Sequence, residues 1–83
     1  MLVLWRASDG PRRAGFAVGR QIRGAVRRNR ARRRLREAYR AARVVAPSGV
    51  DLVVIGRAAA LTVSLGALID DMREAFRAVA TSR

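Results

Sequence analysis

Nine arginines fall within the seventeen residues from Arg27 to Arg43. The helical period leaves that segment only a thin apolar stripe of Ala31, Leu35, Ala38, Tyr39 and Ala42. It reads as one helix, roughly Ala25 to Arg43, that lies close to a sheet through small side chains. Arg32, Arg33, Arg36 and Arg40 fall on the opposite side with Asn29. Stability alone does not select this pattern. Arg28/Arg32, Arg32/Arg36, Arg36/Arg40 and Arg30/Arg34 are like-charge pairs at i,i+4, each costing about 0.2–0.5 kcal/mol in an isolated helix. Arg27 and Arg28 also sit where the helix dipole disfavours cations. Glu37 relieves the repulsion only locally, beside Arg33 and Arg34. A helix that tolerates this is expected to meet an external polyanion, and nucleic acid leads.

With 83 residues the chain is read as a single small domain, residues 1–83. Apolar residues make up 51%, too many for a disordered basic tail. The net charge is +12, and all 18 cations are Arg. Arg grips phosphate bidentately and stacks on bases. A coding bias toward Arg explains the missing Lys but not the clustering. Cys and His are absent, which excludes a thiolate nucleophile, an imidazole base and an ordinary zinc site. No apolar run reaches the ~20 residues of a membrane span. Met1 leads straight into Leu2-Val3-Leu4-Trp5 with no basic leader. The expectation is a cytoplasmic protein with no membrane partner.

Leu2 to Ala7 reads as a strand, Ser8-Asp9-Gly10-Pro11 as a turn, and Arg13 to Gly19 as a second strand. The two strands are expected to pair as an antiparallel hairpin. Ala14, Phe16 and Val18 share one face of the second strand. Gly15, Ala17 and Gly19 share the other, where a helix has room to approach. Gly24 serves as N-cap of the long helix. Val50 to Ile55, broken only by Asp51, reads as a buried strand parallel to Arg13–Gly19. Ser64 caps a last helix whose apolar stripe is Leu65, Leu68, Ile69, Met72, Phe76 and Val79. The fold class is α+β: a small mixed sheet packed by helices.

Gly15-Phe16-Ala17-Val18, followed by Ala25-Val26-Arg27-Arg28-Asn29-Arg30-Ala31-Arg32-Arg33-Arg34-Leu35-Arg36-Glu37, resembles the bacterial ribonuclease P protein component. That family carries A-V-x-R-N-R-x-K-R-x-x-R-E after a strand. Here the R-N-R signature is Arg28-Asn29-Arg30, and Arg32-Arg33 replaces K-R. Asp51-Leu52-Val53-Val54-Ile55-Gly56-Arg57 is similar to a second family block, and the likeness runs from about Leu2 to Ala80.

The resemblance implies an α/β sandwich with a left-handed βαβ crossover, against the right-handed rule. It implies a protein subunit of ribonuclease P, which binds the catalytic RNA and the 5′ leader of precursor tRNA and assists 5′-end maturation. The chain would be an accessory subunit of that endoribonuclease and a monomer within the ribonucleoprotein. It would bind no cofactor alone, and Mg²⁺ would belong to the RNA holoenzyme.

Three departures stand out. The family begins with an F-x-x-V helix that walls the leader cleft, whereas this sequence starts at the first strand. A late-assigned start codon, a trimmed chain or a shortened paralogue each fits, and a Met at the strand edge favours the first. The family's S-K-K is Gly19-Arg20-Gln21, and its Gly-Asn is Arg23-Gly24, which costs the N-cap a few tenths of a kcal/mol.

The residues assigned to RNA are Arg27, Arg28, Asn29, Arg30, Arg32, Arg33, Arg36 and Arg40. Asn29 bonds RNA, orients its arginine neighbours, or is a surface residue with no partner. The leader set is Trp5, Phe16, Val18 and Arg20. Alternation places Trp5 with Val3, opposite Leu2 and Leu4. If Leu2 and Leu4 pack on the helices, Trp5 faces the open side as a stacking platform for an unpaired base. Trp5 and Phe16 also read as core, and Arg20 and Arg57, at strand ends, either flank RNA or are simply solvated. Asp51, Asp70, Asp71 and Glu74 read as solvated acids, and adjacent Asp70-Asp71 converge poorly on a helix. No acid/base pair emerges. The alternatives are a general basic RNA-binding or ribosomal-type protein, and a membrane-surface helix. The Ala-rich stripe counts against the latter.

Overall fold

The computed structural model describes residues 1–82. Strand β1 spans Leu2–Ala7, β2 Arg13–Val18 and β3 Val50–Gly56. Helix α1 spans Ala25–Ala42 and continues into a 3₁₀ turn, Arg43–Val45. A one-turn helix α2, Ala59–Thr62, precedes α3, Leu65–Ser82.

The sheet order is β1-β3-β2. β3 pairs parallel with β2, as expected for a strand–helix–strand unit, and antiparallel with β1. The expected β1–β2 hairpin does not form, because β3 lies between the two. Neighbouring strands are about 4.8 Å apart, so crossing two intervals takes about 10 Å. The five residues of the link, 8–12, reach about 16 Å when extended, enough to step over one strand. β3 carries Val50, Leu52 and Val54, all buried, and the central position pairs both of its backbone edges. Ser8 N–H, donating to Gly49 O at 2.9 Å, pins the link as it passes β3.

One face of the sheet is covered by helices. It carries Val3, Phe16, Val18, Val50, Leu52 and Val54, with Leu35, Ala38, Leu68, Met72 and Phe76 in the same core. Phe16, Tyr39 and Phe76 tie sheet, α1 and α3 together edge-to-face, with ring centroids 5.5 and 6.0 Å apart. Ala31, Leu35, Ala38 and Ala42 are the buried stripe of α1, as their spacing requires. Close approach occurs at Gly56, where an added Cβ would stand 2.8 Å from Leu35 Cδ1. The face of Gly15 and Ala17, expected to receive a helix, is instead the uncovered one. β3 is therefore buried on one face only, and Val53 is exposed.

Ser64 caps α3 as expected, its Oγ accepting from Ala67 N–H at 3.1 Å. Gly24 holds φ 88° at the start of α1, a conformation that favours glycine.

Candidate nucleic-acid interface

Of the nine clustered arginines, Arg27, Arg30, Arg33, Arg36 and Arg40 are exposed along α1. Arg32 is half-buried and donates to Asn29 Oδ1 at 3.3 Å, so Asn29 orients an arginine neighbour. Among the described residues no arginine of α1 is paired with a carboxylate. The outward face thus holds a row of guanidinium groups with free donors. A depression of about 460 Å³ lies between this row and the start of α3, lined by Arg30, Arg33, Arg34, Glu37, Ser64 and Leu65.

Three arginines donate to backbone carbonyls of the fold. Arg28 donates to the carbonyls of Val18, Gly19 and Ile22 at 3.0, 3.1 and 2.9 Å. Those acceptors offset the unfavourable place of a cation in the first turn of a helix. Arg34 donates to Val63 O, tying α1 to the loop before α3. Arg12 donates to Ala46 O at 3.1 Å and Arg43 O at 3.4 Å, where a cation suits the carbonyl end of the helix. Spacing alone marks Arg28 as one more surface cation. Its acceptors lie in backbone that the helical period does not describe.

The residues assigned to the leader separate. Val18 is only 7% exposed, and Phe16 packs on Tyr39, so both belong to the helix-covered core. Arg20 is exposed at the end of β2. Trp5 pairs with Leu52, which puts it on the helix side, while Leu2 and Leu4 look outward. The expected faces are reversed because alternation separates two sets of side chains without telling which set is covered. Trp5 is nevertheless 38% exposed. Met1 and Val3 pack against the core, and the Trp5–Ala7 end of β1 extends beyond that cover.

The open side of the sheet holds a groove of about 430 Å³, lined by residues that include Leu4, Arg6, Arg13, Gly15, Asp51 and Val53. Asp51 bridges two cations there. Arg13 Nη2 lies 3.1 Å and Arg6 Nε 3.3 Å from its Oδ2. The hydrogen bond from Arg13 chiefly holds the Asp51 carboxyl below its ordinary pKa. Arg6 adds to this, and desolvation opposes it. Asp51 is therefore clamped rather than freely solvated. Its partners are distant in sequence, so no local pattern announced them. Among the described residues no group of three or more His, Cys, Asp and Glu could hold a metal ion. No helix among them is long and apolar enough to cross a membrane.

A profile of the Ribonuclease P family matches residues 1–80. The ribonuclease P protein component of Gluconacetobacter diazotrophicus is 45% identical over 75 residues, covering 89% of this chain and 65% of that protein. Its counterpart from Symbiobacterium thermophilum is 45% identical over 74 residues, covering 89% and 64%. The solved RNase P protein from Thermotoga maritima superposes with a TM-score of 0.78 at 30% identity, covering 92% of this chain and 74% of that one. The chain thus spans somewhat less than two thirds of the length of these two curated relatives.

Proposed function

The chain belongs to the ribonuclease P family, and from that premise we propose that it acts as the protein subunit of the RNA-based endonuclease. It binds the catalytic RNA and the 5′ leader of precursor tRNA, in the cytoplasm and as a monomer within the ribonucleoprotein. The observation that carries this reading is the outward face of α1, where Arg30, Arg33, Arg36 and Arg40 are exposed and, among the described residues, paired with no carboxylate. Such a row neutralises closely spaced phosphates and releases their counterions. Asn29 contributes by holding Arg32 in place. Trp5 and Arg20 are the leader contacts that remain exposed. Phe16 and Val18 support them from the core.

In this reading the RNA carries the Mg²⁺ and the cleavage chemistry. The protein supplies charge and position, lowering the Mg²⁺ needed for a compact complex. The test is single-turnover cleavage of precursor tRNA by a bacterial ribonuclease P RNA at limiting Mg²⁺, with and without the chain. The chain alone is expected to be inactive, and with the RNA to raise the rate. RNA binding without stimulation by the folded protein would favour the general RNA-binding alternative.

A further inference from the structure

Arg28 stands apart from the other arginines of α1 because its guanidinium donates to three backbone carbonyls at once. All three of its acceptors, the carbonyls of Val18, Gly19 and Ile22, lie where β2 leaves the sheet to reach α1. The same link is fastened at further points. Gly19 N–H donates to Gly56 O at 2.9 Å, and Ile22 N–H to Gly19 O at 3.2 Å. Ile22 is only 1% exposed, so its side chain anchors the link in the core. Gly24 closes the link at φ 88°. A six-residue segment, 19–24, held this way is a rigid platform. Arg20, Gln21 and Arg23 are the long side chains it leaves in solvent.

We infer that Arg28 is a positioning residue rather than a phosphate ligand. It fixes the 19–24 link so that Arg20 and Arg23 form a second phosphate-contacting patch, separate from the outward face of α1. The ligand is the phosphodiester backbone of the ribonuclease P RNA, which moves Arg20 from the leader to that RNA, and the inference rests on the RNA-binding reading above. Cations on a fastened backbone lose less freedom on meeting phosphate than cations on a loose loop, which makes the platform worth its internal guanidinium.

Arg28→Lys separates the two roles. Lysine keeps the charge but lacks the planar fork that reaches several acceptors at once. Binding of the chain to a bacterial ribonuclease P RNA is measured across a series of KCl concentrations. Arg33→Ala, on the outward face, is the reference and should reduce the slope of log K against log[salt] by about one unit. A phosphate ligand at position 28 would tolerate lysine with the slope unchanged. The inference expects a reduction of more than about one unit, because two contacts are misplaced together. The loss of affinity should match that of the Arg20→Ala/Arg23→Ala double variant. Adding Arg28→Lys to that double variant should weaken binding by less than about threefold more, whereas with Arg33→Ala the two losses should multiply.

Circular dichroism checks that Arg28→Lys folds. If it does not, Gly24→Ala takes its place: it strains the end of the link, keeps every arginine, and should show the same pattern. An unchanged slope for Arg28→Lys, or losses that multiply with those of Arg20→Ala/Arg23→Ala, would overturn the inference. Failure of the unmodified chain to bind the RNA would overturn the underlying reading instead, and the inference with it.

Discussion

Leu52 and Val53 are neighbours on β3, yet Leu52 is 1% exposed and Val53 is 41% exposed. The same division runs across the whole sheet. On the covered side Phe16, Val18, Leu52 and Val54 join the helices in one core. On the open side Leu2, Leu4 and Val53 remain in solvent, with Arg6, Asp51 and Arg13 linked beside them. The covered face is apolar throughout, whereas the open face mixes apolar side chains with Arg6, Arg13 and Asp51, and the two have different duties. The covered face holds the molecule together, and its tolerance for change is set by packing. The open face adds little to the core, so its apolar groups are available to a ligand.

The comparison breaks most visibly at adjacent positions. Leu52→Ala should destabilise by about 2–5 kcal/mol, through lost transfer energy and the cavity left behind. Val53→Ala, one residue along, should cost under about 1 kcal/mol, because much of its surface is already hydrated. Urea unfolding of both variants checks this, and equal losses would mean that the open face is covered in solution.

Glycines give a second matched pair. A Cβ at Gly56 would stand 2.8 Å from Leu35 Cδ1, and Leu35 is fully buried with nowhere to move. Gly56→Ala should cost about 1–3 kcal/mol by overpacking. A Cβ at Gly15 meets nothing within 4 Å. Gly15→Ala should therefore be neutral or stabilise by up to about 1 kcal/mol, through reduced freedom of the unfolded chain. Thermal midpoints moving the same way in both variants would contradict the division between faces.

How much of this division was legible depends on which interactions are local. α1 was readable because Ala31, Leu35, Ala38 and Ala42 recur at the helical period, and because the arginines leave no other stripe to bury. The cap at Ser64 was readable for the same reason, since its partner Ala67 is three residues away. The order of the strands was not. Alternation assigns residues to two faces, but it does not say which strand becomes central or which face is covered. Trp5 was placed on the wrong side for that reason. The internal partners of Arg28 and Asp51 were not legible, because they are backbone carbonyls or cations brought near by the fold. On the outward face of α1, legibility was better. Charges that need no internal partner are visible as a pattern in the chain itself.

Trp5 sharpens the comparison because it belongs to the covered face and still reaches solvent. An exposed indole can stack on an unpaired base, worth about 1–3 kcal/mol. Trp5→Ala should then weaken binding of precursor tRNA by roughly five- to hundredfold in the reconstituted complex, and leave mature tRNA almost unchanged. Parallel titrations of the two tRNAs provide the measurement. Equal losses, or unfolding, would return Trp5 wholly to the core.

The smallest expected effect lies at Asp51, where the open face carries its own ion pairs. Arg13, and secondarily Arg6, hold the Asp51 pKa below its unfolded value. A depressed carboxyl contributes stability above the unfolded pKa of about 3.9 and loses it as pH falls through the folded value. Both guanidinium groups are largely exposed, so solvent screens the pairs and the contribution is modest. Asp51→Asn should lower the thermal midpoint slightly at pH 7 and low salt, and the difference should shrink in high salt. It should also fade in acid, because the unmodified protein then loses the same charge. The check is a set of melting curves from pH 7 down to about 2.5 for both proteins. A gap that persists undiminished at the acid end would show that Asp51 acts through packing rather than charge. The open face would then resemble the covered one at that position.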